Sequence, residues 1–308
     1  MNKKIDLVYL WVDGSDEKWA EKKANALAKL NGTTVSQEAI DDCRFVQNDE
    51  LKYSLRSVEK YAPWINHIYI VTDNQVPKWL NLNNKKVSIV DHRDIMPKEA
   101  LPCFNSTTIE HCVVNIPGLS ENFLYANDDM FFWNDITPDF FFNEKGQNIF
   151  RFSTPIRSKK YNGYYGSRIF HSYQLAMEKF GHCVKYFPHH SIDPYNKSDL
   201  LEYQRYFSQE FACTMHSHFR EKTDIHRSFY AYFMIEEGKA VPVINKHPWF
   251  WRSEDGYISL KIKHLKKVLK QKYPILCIND GRKTTDADRR FMKEILEKKF
   301  GEKSSFEL

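Results

Sequence analysis

The sequence has no CxxC pair, although six cysteines stand at positions 43, 103, 112, 183, 213 and 277. That scatter excludes a finger or ribbon zinc site and offers no disulfide framework, so mostly buried thiols are expected. No run of about 18 apolar residues occurs, which excludes a spanning helix. Met1-Asn2-Lys3-Lys4 lacks the apolar core of a secretory signal, so the expected compartment is the cytoplasm, with the inner membrane face as a contact surface. No internal repeat or low-complexity linker interrupts the chain. The net charge is only +5, with a pI near 8.7. That is too mild for a dedicated nucleic-acid binder, and nucleic acid is not an expected partner.

What is present suits a globular protein. The 308 residues are 42% hydrophobic and 28% charged, enough for one large domain or two modest ones with a real core. Aromatics reach 15%. Phe131-Phe132-Trp133 and Phe140-Phe141-Phe142 either fill that core or wall a cleft in which sugar rings stack; packing is the commoner use. Six lysines crowd between Tyr257 and Tyr273, interleaved with Leu265, Val268 and Leu269. They read as an amphipathic helix whose basic side is either solvated or set against an anionic membrane or polymer.

Apolar runs alternate with helical patterns in the first half. Residues 5–12 (IDLVYLWV) read as a buried parallel strand, broken by Asp13-Gly14-Ser15-Asp16, where Asp16 caps a helix over 17–30. Leu51, Leu55, Val58 and Ala62 mark a second helix that starts at Asn48 and stops at Pro63. Strands follow at 68–71, 87–90 and 123–126, with a helix over 105–114. Alternation of this kind predicts an α/β fold with a mainly parallel sheet flanked by helices. Three strands end in Asp or Asn, and ligands of open α/β sheets bind at that edge. The pattern weakens over 152–185, where 161–167 reads as a loop or lid. Helices return at 200–213, 226–237 and 286–300.

Asn127-Asp128-Asp129 closes one of those strands. Adjacent strand residues point to opposite faces, so the two carboxylates serve one site only if the chain turns there. A hard divalent cation on nucleotide phosphates needs one or two such carboxylates; a plain turn or helix cap is the alternative. In Trp11-Val12-Asp13-Gly14-Ser15-Asp16, Gly14 permits close backbone approach and Asp13 can accept from a base or ribose; a turn with an N-cap is the plainer reading. His189 or His190 offers a general base near neutral pH, and Arg220 a bidentate phosphate ligand. Asn279-Asp280 follows the apolar run 275–278 and repeats the layout of strand then acid.

Together these segments resemble the Stealth family, which includes bacterial capsular-polysaccharide hexose-1-phosphate transferases and the catalytic subunit of the lysosomal-enzyme N-acetylglucosamine-1-phosphotransferase. Four blocks carry the likeness in family order: IDLVYLWVDGSD at 5–16; a stretch over 48–132 that begins NDELKYSLRSVEKYAPWINHIYIVT and ends PGLSENFLYANDDMFF; 185–237 with FPHH and the Arg220 region; and CINDGRKTTDADRRF onward from 277. The resemblance implies a GT-A/Rossmann-like fold in one catalytic domain. It divides into a nucleotide-sugar part over 5–150, a mostly helical acceptor or lid part over 151–275 packing on the active site, and a closing strand and helix over 276–308. It implies transfer of a sugar-1-phosphate, HexNAc-1-phosphate by expectation, from a UDP-sugar to a glycan or phosphoglycan hydroxyl, with release of UMP, in capsule or cell-surface polysaccharide synthesis.

Carried over by position, Asp128 and Asp129 match the acidic pair, with Asp280 as a further Mg²⁺ or Mn²⁺ ligand. His190 and Arg220 match the third-block pair and, with Asp129, form the expected catalytic set. Arg56, Asn105, Ser106, Glu110 and Asn279 join Trp11, Asp13, Gly14, Ser15 and Asn127 as expected substrate contacts. The family histidine is often followed closely by proline, but here Pro194 comes four residues after His190, so His189 and His190 both stand. Two other functions fit the residues alone: a metal-dependent glycosyltransferase that releases UDP, and a non-catalytic glycan-binding protein.

Overall fold

Strand β1 (Ile5–Leu10) leads into helix α1 (Glu17–Ala28), and helix α2 (Glu50–Tyr61) precedes β2 (Ile68–Thr72) and β3 (Val87–Asp91). Helix α3 (Ser106–Cys112) precedes β4 (Asn122–Asn127), which turns at once into β5 (Met130–Phe132). This is a computed structural model that describes residues 4–30, 35, 37–157, 163–245, 250–252 and 267–308.

The principal sheet has the order β3-β2-β1-β4, all parallel. β1 lies in its middle, and Leu7, Val8 and Tyr9 have no accessible surface. A strand covered on both faces has to be apolar throughout, which is why it reads as a run and not as an alternation. Burial of each such side chain contributes roughly 1.5–3 kcal/mol. The one acid within it, Asp6, is buried but satisfied: Asn66 Nδ2 and Ser120 N each donate to it at 2.7 Å. As expected, Asp16 caps α1, its carboxylate accepting from Trp19 N at 2.8 Å. The aromatic clusters are core. Phe131, Phe132, Trp133 and Phe141 have no accessible surface, and Phe142 is buried beside them.

The second half carries the expected helices and, among them, short strands that the sequence did not signal. It holds β6 (Asn148–Pro155), α4 (Tyr164–Phe180), β7 (Tyr186–Pro188) and β8 (Asp193–Asn196). Helices α5 (Lys197–Tyr206), α6 (Ser208–Met215) and α7 (Ser228–Glu236) follow, then β9 (Ala240–Ile244), β10 (Phe250–Arg252), β11 (Ile275–Asn279) and α8 (Asp286–Phe300). β8 joins the principal sheet antiparallel to β4; β7-β6-β9 and β10-β11-β5 form two small sheets. The middle of the chain is therefore built into the first part through β8, and β6 straddles the boundary expected at 150. Residues 164–167, expected as loop, open α4, and 158–162 lie outside the described residues. So does most of the lysine-rich segment, of which only 267–270 are described as helical. Among the described residues no helix is long and apolar enough to cross a membrane.

The C-terminal helix closes the acidic end of the molecule. Thr285 and Asp288 form a reciprocal capping box at the start of α8. Met292, Ile295, Leu296 and Phe300 then pack on Phe131, Trp133, Leu276 and Ile278. That packing fixes β11 beside β5, and so brings the end of β11 to the turn after β4.

Candidate active site

The carboxyl ends of the parallel strands share one edge, since Leu10 pairs with Val71 on one side and Asn127 on the other. The chain reverses between β4 and β5 in two residues, Asp128 and Asp129. Both leave strand geometry, which removes the restriction that would send their carboxylates to opposite faces. Gln47 ties this turn to the loop after β1. It accepts from Trp11 Nε1 at 2.9 Å, and its amide donates to Val12 O at 2.5 Å and to Asp128 Oδ2 at 3.2 Å. Gln75 clamps the backbone of Asp13, accepting from its N and donating to its O, both at 2.9 Å. Asp13 Oδ1 in turn accepts from Ser15 N and Ser15 Oγ. Gly14 is needed for close approach to the protein's own chain: its N donates to Phe45 O, and a Cβ there would lie 2.6 Å from Phe45 Cβ.

Three acids converge. Burial, then the charge of Asp129, pushes Asp128 up to about 7. Asp129 is pushed up to about 6 by burial, with the charge of Glu50 adding to it and the Asn279 amide opposing. Burial and then Asp128 push Glu50 up to about 7. Such shifts mark carboxylates held together in low dielectric, the environment in which a cation is most strongly favoured. Asn279 Nδ2 donates to Asp129 Oδ2 at 2.9 Å, whereas Asp129 Oδ1 is buried with no hydrogen-bond partner.

The second half delivers the other groups. His190, just after β7, brings a ring nitrogen into the same group as an Asp129 oxygen and Cys277 Sγ, all within 4.8 Å of one another. The Tyr165 ring stands edge-on to His190, centroids 5.5 Å apart. Arg220 Nη2 donates to Ser106 Oγ at 2.7 Å. Arg227 pairs with Asp193 at 3.1 Å and covers the face of the Tyr125 ring.

Conserved region 1 of the Stealth proteins matches residues 3–31, and conserved region 2 matches residues 44–150. The chain is 38% identical over 292 residues to the exopolysaccharide phosphotransferase CpsY of Mycobacterium tuberculosis, covering 90% of this chain and 52% of that protein. It is 40% identical over 248 residues to an exopolysaccharide phosphotransferase of Nocardia farcinica, covering 77% and 48%. It is 52% identical over 142 residues to cps2G of Lactiplantibacillus plantarum, covering 46% and 40%. The chain carries two conserved regions of the Stealth proteins. It spans about half the length of the curated relatives it matches. Among solved structures, the galactosyltransferase LgtC with donor and acceptor sugar analogues aligns over 96% of both chains at a TM-score of 0.44 and 11% identity. An active-site mutant of LgtC aligns over 98% of both chains at 0.46 and 9%. Overlaps this loose transfer no residue and no activity.

The expected site residues fall into two groups. Asp128, Asp129, Asn279 and His190 meet at the turn, and Trp11, Asp13, Gly14 and Ser15 are held beside it through Gln47. Asn127 accepts from Tyr125 OH at 2.8 Å, and Glu110 from the same hydroxyl at 3.1 Å. Asn105 is fully buried. It accepts from Thr107 N and donates to Asp224 and the carbonyl of Ser217, so it anchors the loop bearing Arg220. Arg56 is committed elsewhere, with both Glu307 oxygens at 2.8 Å and Phe300 O at 2.8 Å. Asp280 is likewise occupied, accepting from Gly281 N at 2.7 Å and Arg289 Nε at 2.9 Å. Neither Arg56 nor Asp280 is brought to the acidic turn by these contacts. Gln47, Glu50, Cys277, Arg168 and Arg227 enter the site without having been singled out in the sequence.

The donor set fits a hard divalent cation. Asp128 and Asp129 supply oxygen, and Asp129 Oδ1 is a buried acceptor in want of a partner. Cys277 does not suit Mg²⁺: a thiol is a soft donor, and burial and Asp129 hold its proton well above the usual range.

The two histidines separate cleanly. His189 is buried, and its Nε2 donates to Asn245 O at 2.8 Å. Burial lowers its pKa to about 4, against about 6.5 in the unfolded chain. Between those values the unfolded state takes a proton that the folded state refuses. This side chain therefore lowers stability as pH falls from 6.5 to 4, by on the order of 2–3 kcal/mol, and adds no pH dependence above 7. His189→Gln retains an amide donor for Asn245, so its melting temperature should decline less steeply than wild type across that window. An equally steep decline would assign the acid sensitivity to other groups.

Proposed function

We propose that this chain is the catalytic region of a metal-assisted transferase that moves a sugar-1-phosphate from a UDP-sugar, HexNAc by preference, to a hydroxyl of a glycan or phosphoglycan. The product is a phosphodiester of a capsular or exopolysaccharide. The observation that carries this reading is the cluster of buried carboxylates, Asp128, Asp129 and Glu50, at the turn after β4, in a chain whose curated relatives are named exopolysaccharide phosphotransferases. Carboxylates suit the cation on a pyrophosphate, and guanidiniums suit the phosphoryl oxygens. The chain is taken to act on the cytoplasmic side, where nucleotide sugars are available.

Phosphoryl transfer is largely positioning plus charge stabilisation. Asp128 and Asp129 would hold Mg²⁺ or Mn²⁺, which when bound draws negative charge from the pyrophosphate oxygens. The loop Trp11–Ser15 would receive the uridine, fixed by the Gln47 and Gln75 clamps. Asn127, Ser106 and Glu110 would face the sugar and phosphate. His190 would take the proton of the acceptor hydroxyl as its oxygen bonds to the β-phosphorus. The bond from that phosphorus to the bridging oxygen breaks, and UMP leaves with the electron pair. Arg220 would stabilise the charge on the transferred group.

The released nucleotide tests this. Incubation with UDP-N-acetylglucosamine, Mg²⁺ and a short glycan acceptor should yield UMP in step with phosphodiester. UDP as the nucleotide product would make the chain a glycosyltransferase.

A further inference from the structure

A cleft of about 600 Å³ lies between α1 and the segments around Pro102 and Phe219, and none of its lining serves the reaction proposed above. That volume falls in the range of ligand pockets. On one side, Lys18, Lys22, Asn25 and Lys29 follow at i, i+4, i+7 and i+11, so α1 and its capping residue present them as one row. At 1.5 Å per residue the row extends on the order of 16 Å. Lys18, Asn25 and Lys29 are exposed, and Lys22 pairs with Asp73 at 2.7 Å. Glu21 is the one acid among the described lining residues. With Lys22 and Asp73 paired, Lys18 and Lys29 outweigh it and leave the cleft positive.

The facing wall is largely apolar. Leu101 and Pro102 are half-buried in it, and Phe219 stacks on Phe104 with ring centroids 5.2 Å apart. Phe104 meets Trp19 of α1 edge-on at 5.5 Å, and this trio sets the helix against the wall. His218 Nδ1 donates to Pro102 O at 2.8 Å, which leaves Nε2 of the neutral ring as an acceptor for a hydroxyl. Phe104 N donates to His218 O at 2.8 Å, and Asn105 Nδ2 to Phe219 O at 3.4 Å. The next residues of these two segments, Ser106 and Arg220, are hydrogen-bonded to each other. The cleft therefore adjoins the groups assigned above to the transferred phosphate.

An apolar wall facing a row of amide and ammonium groups suits a glycan. The C–H faces of sugar rings pack on the wall, and hydroxyls and anionic groups meet the row. The length of the row fits an extended chain of several units better than one small anion. A flat membrane surface does not enter a concave cleft. The positive excess favours a charged chain over a neutral one.

We propose that this cleft binds an extended anionic glycan, the stretch of acceptor polysaccharide beyond the reacting hydroxyl. Its identity as the acceptor rests on the transferase reading; the binding of an anionic glycan does not.

The probe is an oligosaccharide whose units are joined by phosphodiesters, with a neutral oligosaccharide of the same sugars beside it. Both are titrated calorimetrically into the 308-residue chain in EDTA without donor, so that neither metal nor turnover enters. The anionic probe should bind saturably and more tightly than the neutral one. Lys18→Glu/Lys29→Glu should weaken it about tenfold, the scale of two exposed charge contacts reversed. No binding to wild type would overturn the proposal, as would undiminished binding to the double variant. Lys145→Glu/Lys298→Glu changes the net charge equally at exposed positions outside the cleft and should retain affinity. An equal loss there would reduce the effect to net charge and remove the cleft. In turnover, the Lys18/Lys29 variant should raise KM for the phosphodiester-linked acceptor with kcat kept, and leave KM for a single-sugar acceptor unchanged. Equal changes for both acceptors would count against a hold on the distal chain. A protein that binds the anionic glycan through Lys18 and Lys29 but releases no UMP keeps the cleft and loses the transferase reading. One that releases UMP while the double variant binds glycan as wild type does the reverse.

Discussion

Asp129→Asn should fold normally and lose at least about a thousandfold in transfer rate, a loss comparable with or beyond the removal of one preorganised group that faces developing charge. The substitution changes no volume and keeps an acceptor for Asn279 Nδ2. What it removes is the charge, and with it the ligand atom best placed for a cation, since Asp129 Oδ1 alone of the pair is buried without a partner. Relief of repulsion sharpens the expectation. Asp128, Asp129 and Glu50 raise one another's proton affinity, so neutralising one stabilises the metal-free fold even as activity falls. Melting temperature and turnover should therefore move in opposite directions, a combination that general damage does not give. Mn²⁺ titration followed by paramagnetic relaxation should show weaker binding in the variant. Turnover within about tenfold of wild type, with Mn²⁺ bound as before, would take Asp129 out of the metal set.

The parts legible in the sequence were those with local causes. β1, β2 and β4 are buried on both faces and so appear as apolar runs, and α1 and α8 announce themselves by Asp16 and by the Thr285–Asp288 box. Asp128 and Asp129 were visible because a strand ends in them. β6 was harder: NIFRFSTP alternates, with Phe150 and Phe152 buried and Arg151 and Ser153 less so, but its short apolar set was lost among the polar residues after it. β8 contains Pro194 and pairs only at an edge, where a missing N–H is tolerated. Gln47, Arg168 and Arg227 carried no signal. Each matters only because tertiary contacts set it against residues remote in sequence, as Gln47 does between Val12 and Asp128. The Phe131–Trp133 run had two readings that composition could not separate, and full burial decides for core.

His190→Ala should lower turnover by about a hundred- to ten-thousandfold, the range for a lost general base, while leaving the fold and donor binding intact. The paired substitution gives the result its meaning. His189 is its neighbour in sequence, yet it is buried and bonded to the carbonyl of Asn245, so His189→Gln should shift stability in acid and leave turnover within about threefold. His190 instead stands with Asp129 and Cys277, with Tyr165 edge-on to its ring. That location allows it to act on a hydroxyl approaching a metal-bound phosphate. It also allows it to bind the cation directly, and the two roles separate experimentally. A base gives a rate that recovers as pH is raised in the alanine variant, because hydroxide or ionised acceptor replaces the imidazole, and it leaves Mn²⁺ affinity unchanged. A ligand gives weakened Mn²⁺ binding, with no recovery at any pH. Near-normal turnover in a folded His190→Ala chain would exclude both, and would leave the transferred phosphate to the arginines and the carboxylates alone.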